Sequence, residues 1–435
     1  MALGGGTFQL QNKTLPGAYI NFVSIGAASS NLSSRGVATV PLTLSWGPSG
    51  VIEITQSDFI KNCRSIFGYA YTADAMRPLR ELFAHCRTLY AYRLNGDTGT
   101  AATGALCNAK YKGAHGNDIS YNVVADVDNV GKYIVSIFMD GVEVDTQTVS
   151  AVSELKDNDY VKFNSDATLE AVVGAKLSEG TDGAVTGDNY SAYFNAIEGY
   201  SFNVMGIPTD DVTVKRLAVA NCKRMREEVG KHFQVVVYNY PADYEGVINV
   251  VNAVRDETAA AYALVYWVTG ASAGCGVNES LMNTVYDGEY FVNVDYSQTQ
   301  LEAVEGAGQF IMHSVNGKTR VLYDENSLVT LTEEKNYLFQ DNKVIRICDQ
   351  IANDVATIFV EKYLGKIPND TSGRVSLWND VVDLHNKLQT LRAIQDFSSE
   401  DITVEQGEQK NAVLITDRIS VTGTMAKLYM IVQVA

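Results

Sequence analysis

Residues 270 to 274 read Gly-Ala-Ser-Ala-Gly, a literal match to the G-x-S-x-G elbow in which a strained turn presents a serine hydroxyl to a base. The run before it, Ala263 to Thr269, reads as an apolar strand, and Asp287, Asp295 or Asp324 followed by His313 or His385 supplies the Ser, Asp, His chain order. Against a hydrolase stand the lack of an HGGG-type oxyanion segment and the ease with which Gly, Ala and Ser fill any strand-to-helix turn. A serine hydrolase acting through Ser272 is therefore the alternative function, not the preferred one. Other candidate chemistry is thinner. Asn316-Gly317-Lys318-Thr319 ends like a phosphate loop, but Met312 stands where its first glycine belongs, and a β-turn fits better. Asp126-Val127-Asp128-Asn129 begins like a calcium loop, yet Val130 and Ile137 occupy positions where ligands are needed. The five histidines (His85, His115, His232, His313, His385) show no HExxH and no close spacing to cysteine, which argues against zinc. No catalytic, cofactor-binding or metal-ligating residue is expected, and no cofactor.

The elements that would have to position such residues belong to a large acidic chain. Its 435 residues exceed the size at which a single core stops growing, so about two to four domains are expected. A formal charge of −17 argues against nucleic acid and against adsorption to anionic lipid, and keeps like-charged copies apart in solution. Six scattered cysteines without a CxxC pair suit free thiols in a reducing cytosol. The first residues, MALGGGTFQLQNKTLPG, have neither the basic nor the apolar region of a secretory signal, and no run approaches the ~18 apolar residues of a membrane span.

Along the chain the hydrophobic period changes three times. Residues 1 to 24 form an N-terminal arm with a strand: 1 to 16 are polar and carry Gly4 to Gly6, and after the Pro16-Gly17 turn comes a short β-like run from Ala18 to Ile25. A strand from Arg35 to Trp46, with Pro41 marking an edge or bulge, a helix from Ala73 to Cys86 and a strand from Leu89 to Leu94 begin an α/β core over 25–94. From 95 to 183 the helices stop. Asp118 to Asp126, Tyr133 to Met139 and Val142 to Val149 alternate with period two, and Asp140-Gly141 is a two-residue hairpin signal, so a small all-β domain is inserted there. The α/β pattern resumes over 184–330: helix Asp210 to Gly230 before strand Phe233 to Tyr238, helix Gly246 to Tyr262 before strand Ala263 to Thr269, helix Gln298 to Glu305 before strand Gln309 to Val315. Region 331–435 opens with two amphipathic helices. In the first, Val344, Ile347, Ile351, Val355 and Ile358 line one face while Lys343, Arg346, Asp349, Asn353 and Asp354 fall mostly opposite; in the second, Leu377, Val381, Leu384, Leu388 and Leu391 make a seam. The chain closes on NAVLITDRISVTGTMAKLYMIVQVA, two β-patterned runs about a Thr-Gly-Thr turn. In the last run Leu428, Met430, Val432 and Val434 share one face, and such an apolar terminal strand needs a partner sheet, in its own chain or in a neighbour. The fold class expected is α+β and multidomain: an α/β core, an inserted small all-β domain and exchanged terminal β-strands.

Several stretches, taken in order, resemble the contractile tail sheath proteins of bacteriophages and phage-tail-like particles: LPGAYINF at 15–22, RGVATVPLTLSWGPSG at 35–50, AKYKGAHGNDISYNV at 109–123, AGCGVNESLMN at 273–283, DNKVIRICDQIANDV at 341–355, GKIPND at 365–370 and the ending MAKLYMIVQVA. The resemblance runs over nearly the whole chain. It implies a structural subunit, not an enzyme, that stacks as hexameric rings around a tail tube and contracts to drive the tube through a target cell envelope. It implies as partners further copies of the chain, the tail tube protein, and baseplate and tail terminator proteins, with no nucleic acid and no membrane insertion. The location implied is the virion tail or a tail-like particle assembled in the bacterial cytoplasm. It also implies that the terminal strands insert into neighbouring subunits, which assigns strand exchange to Tyr19, Ile20, Phe22, Val23, Leu428, Met430, Val432 and Val434. Gly4 to Gly6 and Glu405 to Gln409 would then be hinges. Because part of the C-terminal region would face the tube, Lys343 and Arg346 are candidates for tube contacts, two cations meeting an acidic partner.

Overall fold

The computed structural model describes residues 4–6, 17–19 and 32–434. A six-stranded sheet organises the larger part, in the order Val247–Val250, Gln234–Tyr238, Val204–Ile207, Val37–Leu42, Thr88–Arg93, Gly50–Thr55, with every neighbouring pair parallel except the last. Eight α-helices occur among the described residues: α1 Gln56–Phe67, α2 Arg77–Phe83, α3 Gly187–Ile197, α4 Val212–Arg224, α5 Leu264–Gly274, α6 Gln298–Glu302, α7 Asn342–Ile358 and α8 Thr371–Thr390. None is long and apolar enough to cross a membrane. Period-two alternation divides the sheet between two cores. Ala38, Val40, Leu89, Ala91 and Val236 pack with α1, α2 and α5 on one face, while Tyr92, Val235 and Val237 pack with α3 and α4 on the other.

Pro41 lies in an interior strand, not at an edge. The Leu42 carbonyl accepts from the Leu94 N–H, so the neighbouring residue 41 turns its nitrogen to the opposite flank. There the pairing with Val204–Ile207 covers only Ala38 and Thr39, and no ladder bond is lost by the proline. Gly50–Thr55 and α1 have no counterpart among the expected elements. Only Phe59, Cys63 and Phe67 of α1 are buried, too thin an apolar stripe among charges to stand out. The helix is nonetheless well delimited, by a Thr55/Asp58 capping box at its start and by Gly68 at φ +85° at its end.

One expected pair is inverted. Where a helix over Gly246 to Tyr262 and a strand over Ala263 to Thr269 are expected, the chain makes the strand Val247–Val250 and then α5. Both runs are buried on all sides, and a short run without a polar face does not distinguish the two periods.

Residues 99 to 182 make two antiparallel four-stranded sheets. One has the order Val142–Val149, Tyr133–Met139, Ile119–Ala125, Val172–Lys176; the other Val161–Phe163, Cys107–Lys112, Gly99–Thr103, Thr181–Asp182. Asp140 (φ +52°) and Gly141 (φ +74°) form the tight turn expected of that dipeptide. Trp46, from the loop after Val37–Leu42, is buried in this unit's core with Ile119, Val135 and Ile137 and joins it to the sheet.

The C-terminal region pairs α7 and α8 with a hairpin, Ile402–Gln406 against Val413–Asp417. Glu405 to Gln409 therefore belong to the end of a strand and its turn, where Gly407 N–H donates to the Ala412 carbonyl, and are not a free hinge. Ser420–Val421 pairs with Ile394–Gln395, and residues 422–434 enter no strand or helix. At the other end, Gly4–Gly6, expected to be an unpaired arm, pairs in parallel with Gly17–Tyr19. Of the exchange residues assigned there, Tyr19 lies on that strand, while Ile20, Phe22 and Val23 lie outside the described residues.

Candidate functional site

Ser272 is in the third turn of α5, fully buried, and its Oγ has no hydrogen-bond partner among the described residues. No strand-to-helix elbow exists there. The two glycines serve packing: a Cβ on Gly270 would lie 2.2 Å from the Leu82 carbonyl oxygen and one on Gly274 would lie 2.2 Å from that of His85, so their four-residue spacing lets α5 close on α2. The other members of the supposed triad are engaged elsewhere. Asp324 pairs with Arg346 at 2.6 Å, Asp295 with Arg255 at 2.7 Å, and Asp287 with His85 at 2.9 Å. His385 Nδ1 faces the Val381 carbonyl at 2.8 Å, and His313 lies on the strand Ile311–Val315. The hydrolase alternative fails on this geometry.

Among the described residues one group of metal-type ligands comes together, His115, Asp118 and Asp140, with ligand atoms within 4.8 Å of one another. His115 Nδ1 lies 3.1 Å from Asp118 and Nε2 lies 3.1 Å from the Gly68 carbonyl, while Tyr69 stacks on the ring at 4.0 Å. Both ring nitrogens are thus committed to holding the β unit against the end of α1.

Helix α7 carries the most organised polar cluster. Its apolar side meets α8 and the hairpin, as the 3.6-residue spacing predicts. On its opposite side Lys343, Arg346, Asp349 and Asp354 are buried as well, because the sheet and its loops bring matching charges. Arg226 grips Asp349 with two bonds of 2.7 Å each. Arg346 Nη2 donates to Asp324 at 2.6 Å, and Asp324 also accepts from Asn342 and from the Leu281 N–H, both at 2.9 Å. Burial pushes the Asp324 carboxyl up, but Arg346 and these donors more than offset it and hold it below the usual carboxylate range. Asp354 accepts from Ser33 and Gln350, tying the entry to the sheet onto the same helix.

Lys343 and Arg346 therefore do not face outward. Arg346 is 1% exposed, and Lys343 is buried with Nζ on the Thr422 carbonyl at 2.7 Å. The acidic group met by Arg346 lies in its own chain. Spacing alone missed this, since a solvated face and a buried ionic face share one pattern.

The last residues show the reverse mismatch. Leu428, Met430, Val432 and Val434, with Met425, Tyr429 and Ile431, are 68 to 101% exposed. The side-chain bond that ties this stretch down is Lys427 Nζ to Glu305 at 2.9 Å, with both partners half in solvent. Both faces of the expected strand are uncovered. Among the described residues the hairpin Ile402–Gln406 and Val413–Asp417 is a sheet of two strands, with Leu414 exposed.

Comparison with known proteins shows the family to which this chain belongs. Four family models match in succession: the tail sheath protein Gp18 domain III N-terminal region over residues 35–94, the phage tail sheath protein β-sandwich domain over 97–182, the phage tail sheath protein central domain over 183–327 and the phage tail sheath C-terminal domain over 334–435. A sheath tail protein from Desulfitobacterium hafniense superposes with a TM-score of 0.82 at 38% identity, covering 95% of this chain and 99% of that one. The phage-like element PBSX protein XkdK of Bacillus subtilis is 31% identical over 467 aligned residues, covering 99% of this chain and 100% of its own. The helical sheath of the anti-feeding prophage in its contracted state shares the fold, with a TM-score of 0.57 at 13% identity over 97% of this chain and 99% of that one. With the serine site gone and sheath models matched from residue 35 to the C-terminus, the chain belongs to the phage tail sheath protein family, the sheath subunits of phage and phage-like contractile particles.

Proposed function

We propose that this chain polymerises as stacked hexameric rings around a tail tube, and that the sheath so formed shortens to drive the tube through a target cell envelope. The observation that carries the proposal is the uncovered C-terminal segment, with Leu428, Met430, Val432 and Val434 on one apolar face, held to its own body by an exposed ion pair, the one ion pair it makes among the described residues. An extended apolar segment gains main-chain hydrogen bonds and buries alternate side chains by adding to the edge of a sheet. The two-stranded hairpin of the C-terminal region offers such an edge on a neighbouring copy. Tyr19, Ile20, Phe22 and Val23 play the same part at the other end, so each subunit is tied to its neighbours by both termini.

A contact of this kind is heterologous and does not close on itself, which generates a helical polymer. Contraction is then a rigid-body rotation of subunits about their exchanged strands, a downhill step held back by a kinetic barrier. The hinge is placed at Thr422 to Thr424, after the last paired strand, where a Cβ on Gly423 would meet nothing within 4 Å. A gain of about 1.5–3 kcal/mol per subunit, the burial of one large apolar side chain, is multiplied by every copy in the sheath. No cofactor takes part. The partners are the tail tube, baseplate and tail terminator proteins, in particles assembled in the bacterial cytoplasm.

Negative-stain microscopy of the purified chain tests this. The full chain forms tubes, and a chain lacking 425–435 stays folded and unpolymerised. Tubes formed equally well by the truncated chain would remove the C-terminal segment from assembly.

A further inference from the structure

Helix α7 ends in a π turn, Phe359–Tyr363, and the chain folds back through residues 364–370 before α8 begins. That loop is fixed at several points. The Ile367 N–H donates to the Tyr363 carbonyl at 3.1 Å, and the Tyr363 hydroxyl donates to Asp380 at 2.6 Å. The Asn369 side-chain nitrogen donates to the carbonyls of Lys410 and Ala412, at 2.9 and 2.7 Å. Between the loop, α8 and the hairpin turn lies an open groove of about 440 Å3, far more than the ~10–15 Å3 that one water needs. Phe359, Leu364, Ile367 and Val413 supply apolar wall, and Arg374 and Lys410 are the charged residues that line it. Arg374 donates to the Asn369 carbonyl and side-chain oxygen, at 3.2 and 3.0 Å, and neither cation forms an ion pair among the described residues. In a chain of net charge −17, a preformed groove that is apolar, cationic and free of carboxylates suits an acidic, apolar occupant.

The other end of α7 carries a segment of that kind. In residues 328–338, which lead into the helix, Val329, Leu331, Tyr337 and Leu338 are 45 to 68% exposed. Glu333 and Glu334 stand at the bend where the Thr332 N–H donates to the Lys335 carbonyl at 3.0 Å, and both are exposed without an ion pair among the described residues. Lys335 does not neutralise them, because its Nζ turns to Glu245 at 2.6 Å. The loop is braced as well, with the Val329 and Thr330 N–H groups donating to Asp243 at 2.7 and 2.9 Å. The uncovered segment 425–434 matches the groove less well, since its single charge is Lys427. From Asn342 to Ile358, α7 spans about 25 Å at 1.5 Å per residue, so the braced loop does not reach the groove of its own copy.

We propose that the 328–338 loop of one copy docks in the groove of a second copy, its exposed apolar side chains on the Phe359 and Ile367 wall and Glu333 and Glu334 against Arg374 and Lys410. This rests on the proposed polymerisation and names a second joint for it, beside the exchanged strands. Apolar burial supplies attraction, and the opposed charges supply register and choice of partner. Loop and groove lie at opposite ends of one helix, so the contact is head to tail, and each copy that joins brings a fresh site for the next.

The test mixes isotope-labelled and unlabelled full chains and treats them with a carbodiimide, which condenses an amine and a carboxylate in contact into an amide and takes up the water as a urea. The expected product, read by mass spectrometry in mixed-label pairs, links Lys410 Nζ of one copy to Glu333 or Glu334 of another. Reversing the groove with Arg374→Glu and Lys410→Glu, or the loop with Glu333→Lys and Glu334→Lys, raises the concentration at which tubes appear roughly tenfold. All four changes together bring it back. If the Arg374 change does not fold, Lys410→Glu alone takes its place, and the cross-link on the unaltered chain needs no variant. Tubes of the unaltered chain without this cross-link, or charge-reversed chains that assemble unchanged, overturn the docking and leave polymerisation standing. The cross-link in small oligomers that never form tubes supports the docking and overturns the polymerisation. Lys410 joined instead to a carboxylate outside this loop overturns the docking, and a chain that stays single and gives no cross-link overturns both.

Discussion

The inner side of α7 and the segment 425–434 are opposite mismatches between residue type and surroundings. On α7, charged and amide side chains are buried: Arg346, Asp349, Gln350 and Asp354. At the C-terminus, Leu428, Met430, Val432 and Val434 stand in solvent. The first mismatch is resolved within the chain, because Asp324, Arg226 and Ser33 come from distant segments to meet it. The second has no resolution in a single copy among the described residues. A buried ionic face answered by remote segments of the same chain belongs to the body of one molecule, whereas an uncovered apolar segment has surface left to bury.

Four variants would break or sharpen this contrast, ranked by their effect on the stability of the isolated chain. Arg346→Ala leaves Asp324 buried without its counter-charge and is expected to cost about 3–5 kcal/mol in urea unfolding. The folded Asp324 carboxyl titrates below its unfolded counterpart, so its contribution is fully present above an unfolded value of about 3.9 and is lost as pH falls through the lower folded value. A cost for Arg346→Ala near zero would mean that water reaches the seam.

Glu325 lies between the two regions, bridging to Asp341 and close to Glu305, the residue that holds Lys427. Burial, followed by repulsion from Glu305, Asp341 and Asp324, pushes its carboxyl up to about 7 against the pull of the Gly306 N–H. The folded state then binds the proton more tightly than the unfolded, so stability falls as pH rises from about 4.3 towards 7 and levels off above it. Glu325→Gln should remove that slope and add about 1 kcal/mol at pH 8, allowing for solvent screening, as read from unfolding at pH 5 and pH 8.

Ser272→Ala removes a buried hydroxyl that has no partner among the described residues and should change stability by no more than about 0.5 kcal/mol, with tube formation intact by microscopy. The double change Leu428→Asp with Met430→Asp should leave the unfolding midpoint of the isolated chain where it is, since both side chains are already solvated, and abolish tubes. If it lowered monomer stability instead, the segment would be part of its own body and the contrast would fail.

Local patterns made much of this legible. Asp140-Gly141 specified its turn, the heptad-like leucines of α8 and the 3.6-residue stripe of α7 specified helices, and period two between 118 and 149 specified strands, because each is decided by residues a few positions apart. Val247–Val250 and α5 were not distinguishable from one another, since runs buried on every side lose the polar face that reveals the period.

The sequence by itself determined where the turns and amphipathic helices fall, that the last run is apolar on a strand's spacing, and the succession of segments by which the family is recognised. Only the tertiary structure decided that Gly270 and Gly274 are a contact with α2 and not an elbow, that Arg346 faces Asp324 and not a partner molecule, and that Glu405 to Gln409 turn a hairpin. Each of these depends on which remote segment arrives beside a residue. Burial, charge pairing and backbone approach are properties of that meeting, and one-dimensional spacing carries no record of it.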